Sequence, residues 1–191
     1  MNIAVFVSGS GTNCENIIRH FAAGGASRVA LVVSNRPDAY AIRRAEALGV
    51  PVEVVLKADF SDETRLMAVL NAYKIDFIVL AGFLLMVPPF LLHRYPRRIV
   101  NIHPALLPKY GGRGMYGHHV HEAVFANRES ETGITIHYVS EVCDGGEILF
   151  QARTALSPGD SPDEIAAKVH RLEMEYYPKV IEQAIENAAK A

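Results

Sequence analysis

Short β-branched apolar runs alternate along the chain with stretches in which apolar residues recur every three or four positions. Residues 3–7 (Ile, Ala, Val, Phe, Val) are continuously apolar, as a parallel strand covered on both faces requires. After Gly9 and Gly11 comes a helical pattern carrying Ile17, Ile18, Phe21 and Ala22, closed by Gly24-Gly25. Residues 29–33 read as a second strand. A helix over about 40–48 stops at Gly49, with Pro51 just beyond. Residues 52–56 form a third strand, and a helix starting at Ser61 or Asp62 carries Leu66, Val69, Leu70 and Tyr73. Phe77–Leu80 is a fourth strand and residues 99–102 a fifth. Strands alternating with helices of this length predict βαβ units and a parallel, doubly wound sheet.

The pattern changes after residue 130. Residues 135–139 and 148–151 are strands separated by the turn Cys143-Asp144-Gly145-Gly146, which predicts an antiparallel addition. A long helix closes the chain. Ser161-Pro162-Asp163-Glu164 combines an N-cap, a proline at the first helical position and a capping-box Glu. Ile165, Val169, Leu172 and Tyr176 make one apolar stripe, and Pro178 is expected to kink or end the helix. Neither a repeat nor a low-complexity linker interrupts the chain. The expectation is therefore one domain over 1–191, an α/β Rossmann-like, mostly parallel doubly wound sheet with an antiparallel C-terminal addition.

Composition narrows the class. Half of the 191 residues are hydrophobic and 21% are charged, which excludes a disordered chain. With 19 Lys+Arg against 21 Asp+Glu there is no basic excess to suggest a nucleic-acid partner. The N-terminus lacks a basic leader, and the longest apolar stretch, 77–92, is broken by Gly82 and Pro88-Pro89, so no membrane span is expected. Two cysteines, Cys14 and Cys143, are too few for a disulfide framework and fit a reducing compartment. These features predict a soluble cytoplasmic protein.

Several segments carry candidate chemistry. Ser8-Gly9-Ser10-Gly11-Thr12-Asn13 lies between the first strand and the first helix, where backbone N–H groups form an anion site. Position 14 is Cys rather than the third glycine of a dinucleotide fingerprint, and no P-loop Lys is present. The alternative is a plain strand-to-helix turn. Asn101 and His103 fall on one face at the end of the fifth strand, where an amide and an imidazole can stabilise an oxyanion. Otherwise His103 is a strand-end ring bonded to a loop carbonyl. Asp144 is either a turn residue or a carboxylate that holds His103 and raises its pKa.

His118, His119 and His121 crowd together, but His119 and His121 need extended backbone to converge while residues 122–127 look helical. Hydrogen-bonding or loop-ordering roles are therefore expected, and no metal. Residues 80–87 read either as core or as the lining for a flat ring, and His170 and Glu173 share one helix face.

Together SGSGTN, VVSNRPDA, LAGF, NIHPALLPKY, TGITIHYV, the DGG turn with Ile148 and Gln151, and HRLEMEYYP resemble the glycinamide ribonucleotide transformylases (phosphoribosylglycinamide formyltransferases) of purine biosynthesis. The resemblance runs through nearly the whole chain. It implies formyl transfer from 10-formyltetrahydrofolate, a co-substrate, to the amine of 5-phosphoribosylglycinamide, without a metal. It also implies a protein that acts on small molecules as a monomer or homodimer. By that resemblance Gly11, Thr12 and Asn13 hold the phosphate, and His170 and Glu173 contact the same substrate. Asn101 and a protonated His103 bind the formyl oxygen, with Asp144 assisting. Phe83, Leu84, Leu85, Met86 and Val87, with Asn101, Ser140, Glu141, Val142, Cys143 and Asp144, wrap the folate.

Two departures stand out. Many members carry Arg where this chain has Leu85 and another near Glu63, and Arg65 and Arg113 are the candidate replacements. The loop from Lys109 to Gly117 holds four glycines and reads as a mobile flap. A formyltetrahydrofolate hydrolase, another amine formyltransferase and a non-catalytic nucleotide- or folate-binding module are the competing readings.

Overall fold

The apolar runs become the middle of a sheet. A computed structural model describing residues 1–190 contains strands β1 (Asn2–Val7), β2 (Arg28–Ser34), β3 (Val52–Val54), β4 (Phe77–Leu80), β5 (Ile99–His103), β6 (Glu131–Tyr138) and β7 (Ile148–Ala155). Their order in the sheet is β3-β2-β1-β4-β5-β6-β7. The first five run parallel, and β6 and β7 are added antiparallel.

Helices α1 (Thr12–Ala22), α2 (Tyr40–Ala47), α3 (Lys57–Phe60), α4 (Glu63–Ala72), α5 (Pro89–Arg94), α6 (His118–Ala126) and α7 (Pro162–Lys190) complete the fold. Strand alternation divides the core in two. Ile3, Val5 and Val7 pack with α1 and α7 residues such as Ile17, Phe21, Tyr177 and Ile181. Ala4 and Phe6 pack on the other face with Phe60, Leu66, Leu70 and Leu91. Both faces are covered, which is why β1 shows no polar alternation.

Gly11 has a specific reason. It caps α1 at φ 78°, and a Cβ there would lie 2.5 Å from that of Ala41 on α2. The turn after β1 can therefore pass close under α2 only as glycine.

The boundaries differ from expectation in several places, among them β6, which already begins at Glu131, and β7, which runs on to Ala155. β3 ends at Val54, because Leu56 already caps the short helix α3. α5 was not anticipated; it spans six residues with Pro89 at its first turn, too few for a periodic signal. α6 starts at His118, so the three histidines sit on its first turn rather than in a loop. α7 does not end at Pro178 but runs on to Lys190. Proline cannot bond the carbonyl four residues back, that of Met174, and the Asn16 side chain supplies the missing donor at 2.8 Å. Ser161 and Glu164 exchange the expected capping bonds at the other end.

Candidate active site

The turn after β1, the segment after β4 and the end of β5 open onto one cleft of about 680 Å³. Open parallel sheets bind ligands at such a place, outside the strands' carboxyl ends where adjacent connections diverge. Ser8 ties two of these segments together: its hydroxyl donates to Asn35 Oδ1 at 2.6 Å and accepts from the Leu84 N–H at 2.9 Å. Arg44 Nε donates to the Ser10 carbonyl at 2.9 Å and pairs with Glu15, which steadies the glycine turn from outside.

At one end of the cleft lie Gly11, Thr12, Asn13, His170 and Glu173. Asn13 Nδ2 donates to Glu173 Oε2 at 2.9 Å, and His170 Nδ1 meets the same oxygen at 3.2 Å. Residues 160 positions apart are thus joined. The bond to Glu173 raises the His170 pKa. Asn13 Oδ1 and His121 Nδ1 are buried here without a protein partner.

At the centre are Asn101 and His103. β6 pairs antiparallel with β5 so that His137 lies opposite Asn101 and Thr135 opposite His103. The His137 Nδ1–H donates to the Tyr138 carbonyl at 2.9 Å, which leaves Nε2 to accept from Asn101 Nδ2 at 3.2 Å. Thr135 and Gln151 hold the chain that follows His103, bonding the carbonyls of Ala105 and Leu107. Beyond β6 the chain folds back and sets Asp144 Oδ2 3.6 Å from His103 Nδ1 and Oδ1 3.7 Å from His137 Nε2. Gly146 makes that return possible, since a Cβ there would sit 1.7 Å from the Tyr138 carbonyl oxygen. Asp144 has φ 53°, a left-handed conformation that Asp tolerates better than most residues.

His103 is 3% exposed, so burial opposes the charged ring that Asp144 favours. Burial lowers the ring's pKa, and it outweighs the upward effects of Asp144 and the Tyr110 carbonyl. Burial and the carboxylate thus pull the ring in opposite directions. Burial also works to raise the Asp144 pKa, but His137, the Gly112 amide and the neighbouring His103 ring together hold it below the usual value.

The other end of the cleft is apolar. Leu84 and Met86, about half exposed, and Val142, 67% exposed, present bare hydrocarbon to it. Phe83, Leu85, Val87, Ser140 and Cys143 also line the cleft, although Phe83 is mostly core, packed between Phe6 and Phe60. Glu141 is not brought in. The Ser140 hydroxyl bonds both the N–H and the carbonyl of Val142, a tight turn that leaves Glu141 exposed. Arg65 is likewise absent from the lining and pairs with Asp59, whereas Arg113 lines the cleft. Burial pushes the Cys14 thiol up to about 12 and raises that of Cys143, so neither is poised as a nucleophile.

Among the described residues no group of His, Cys, Asp and Glu is arranged to hold a metal. His119 is exposed and bonds Glu122. No described helix is long and apolar enough to cross a membrane.

Sequence reasoning missed His137, Tyr110, Gly112 and His121 as members of the site. For His137 a signal existed: Thr135 and His137 are alternate polar positions among Ile134, Ile136 and Tyr138.

The formyl transferase family model matches residues 1–181. The chain belongs to that family. Among relatives, a chloroplastic phosphoribosylglycinamide formyltransferase of Arabidopsis thaliana is 39% identical over 98% of this chain, which spans 66% of that protein's length. The phosphoribosylglycinamide formyltransferase of Haemophilus influenzae is 38% identical over 94% of this chain and 84% of its own. The crystal structure of the Bacillus halodurans enzyme of the same name superposes with a TM-score of 0.88 at 34% identity, covering 98% of this chain and 97% of that one. A formyl transferase must hold an acyl donor and an acceptor side by side. Here an apolar end and a polar end of one cleft meet at Asn101, His103 and Asp144.

Proposed function

We propose that this formyl transferase moves the formyl group of 10-formyltetrahydrofolate to the amine of 5-phosphoribosylglycinamide. The observation that carries the reading is the convergence of Asn101, His103 and Asp144 between an apolar wall and a glycine turn at a helix N-terminus. The turn at Gly11, Thr12 and Asn13 suits the substrate phosphate, and Glu173, held by Asn13 and His170, suits its ribose hydroxyls. Leu84, Met86 and Val142 suit the flat pterin of the formyl donor.

The chemistry follows from these positions. The acceptor amine attacks the formyl carbon, and the carbonyl oxygen takes up the negative charge. Asn101 donates its amide to that oxygen, beside a His103 that is only 3% exposed, and a preset donor of this kind stabilises the developing charge. The amine has a proton to lose and the folate nitrogen needs one to leave. His103 serves as the proton carrier between the two nitrogens, with Asp144 stabilising its imidazolium form. The carbon–nitrogen bond to folate then breaks, and no covalent enzyme intermediate forms.

Absorbance of the released folate, followed with and without phosphoribosylglycinamide, tests this reading. Turnover is expected to require the amine and to fall by about 10²-fold or more in His103→Ala and Asp144→Asn. Turnover without the amine establishes a hydrolase instead. Ligand binding with no turnover at all establishes a binding module.

A further inference from the structure

The buried face of α6 is made by Val120, His121 and Val124. Packing alone asks for an apolar residue at each of these positions, and the middle one is a histidine. His121 is 7% exposed, yet neither ring nitrogen finds a hydrogen-bond partner among the described residues. Nδ1 is sealed off from solvent. Nε2 is not, and the residue lines the cleft.

The other two buried histidines are committed at both nitrogens. His103 faces the Tyr110 carbonyl and Asp144, and His137 meets the Tyr138 carbonyl and Asn101. A buried imidazole with no partner costs stability, and a ligand in the cleft can offset that cost. A hydrogen on Nδ1 of His121 would be a buried N–H with no acceptor in reach, the arrangement that folded proteins avoid most consistently. Nε2 therefore carries a hydrogen, in the neutral ring and in the charged one alike. His121 offers the cleft a donor.

Its place along the cleft says what that donor meets. The ring lies within the field of both Glu173 and His103, which the function proposed above sets at the ribose and at the reacting amine. His118, one turn back on the same helix face with its ring 6.4 Å away, is turned to Glu122 and Asp163. Between ribose and amine the acceptor substrate carries a single amide group, and its carbonyl oxygen is the hydrogen-bond acceptor on that stretch. We infer that His121 is a specificity-determining residue whose Nε2–H donates to the amide carbonyl of the glycinamide arm. The cleft thereby tells a phosphoribosylglycinamide from a ribose phosphate that lacks the arm.

This role for His121 rests on the function proposed above, and one pair of ligands separates the two. Binding of 5-phosphoribosylglycinamide and of ribose 5-phosphate is measured by calorimetry for the wild-type protein, His121→Leu and His121→Gln. His121→Leu fills the site without a donor. It is expected to weaken phosphoribosylglycinamide by on the order of tenfold and to leave ribose 5-phosphate within about twofold. His121→Gln, whose amide nitrogen can donate from near the place of Nε2, is expected to stay within about threefold of the wild type for both. In turnover His121→Leu should raise the KM for the amine and leave that for the formyl donor unchanged. Unchanged phosphoribosylglycinamide affinity in His121→Leu overturns the inference. An equal loss for both ligands also overturns it, because the ring then serves the shared ribose phosphate or the fold. A wild-type protein that does not bind phosphoribosylglycinamide overturns the proposed function, and this role with it.

Discussion

Tyr177, fully buried on α7, donates its hydroxyl to the carbonyl of Leu80 at 2.8 Å, 97 residues away. It also lies 3.4 Å from the Val100 carbonyl, so one phenol bridges the ends of β4 and β5 directly beneath Asn101. Removing it in Tyr177→Phe strands buried carbonyls in an apolar layer. The expected cost is about 1–3 kcal/mol of stability, read from denaturant unfolding. A change below about 0.5 kcal/mol would mean that the bridge contributes nothing net.

The two glycines after Asp144 are not equivalent. Gly146→Ala drives a Cβ to within 1.7 Å of the Tyr138 carbonyl oxygen, and backbone must move. A loss of about 2–4 kcal/mol and a displaced Asp144 are expected, with kcat falling more than stability alone explains. Gly145→Ala meets Val142 Cγ1 at 2.6 Å and Val142 Cβ at 2.8 Å, so rotation alone does not clear it and the exposed turn must shift slightly. About 1–2 kcal/mol is expected there, less than at Gly146. Melting temperatures of the pair decide; equal losses contradict the distinction.

Acid should weaken the fold through its buried histidines. Burial lowers the pKa of His103 and of His121 below the ordinary 6.5, so below that pH the unfolded chain binds more protons at these rings than the folded one. Their stability contribution is complete above 6.5 and is lost as pH falls toward the folded values. His170 runs the other way: its bond to Glu173 raises its pKa, giving stability that is present below 6.5 and lost as pH rises through the folded value. Unfolding midpoints taken from about pH 8 to about pH 5 should decline, and His103→Gln with His121→Gln should flatten the decline. An identical slope in the double variant contradicts the assignment.

Arg113 is the exposed cation on the cleft, at the side where the proposed folate site lies. Folate ends in glutamate carboxylates, and an exposed pairing of this kind contributes no more than about 1 kcal/mol. Arg113→Ala should therefore raise the KM for the formyl donor by less than about tenfold, leaving that for the amine substrate unchanged. A KM unaltered for both removes Arg113 from the site.

Much of this architecture is readable from local pattern. The apolar runs at residues 3–7 of β1, 31–33 of β2 and 77–80 of β4 are buried on both faces, and that requirement is written into each of those positions. The start of α7 is legible because Ser161 and Glu164 satisfy each other locally. Its continuation past Pro178 is not legible, because the donor that rescues Met174 comes from Asn16, 158 positions away. Asn101 and His103 declare themselves by strand alternation. That Asp144 reaches them depends on how the chain returns after β6, which only a family resemblance anticipates. The pull of burial on the His103 ring comes from residues distant in the chain, which a local reading of a neighbouring carboxylate does not include. Tyr110 acts through its carbonyl, which every residue possesses, so no residue type could have signalled it.

The bridge from Tyr177 and the bond from Asn13 to Glu173 share a property with consequences for biosynthesis. Both connect early strands and turns to the final helix. As the chain leaves the ribosome, its N-terminal half can pair β1, β2 and β4 long before α7 exists, but the wall formed by His170 and Glu173 is still missing. Ligand capture is thereby deferred until α7 has been made, and the nascent chain before that point cannot sequester a substrate it is not yet able to convert.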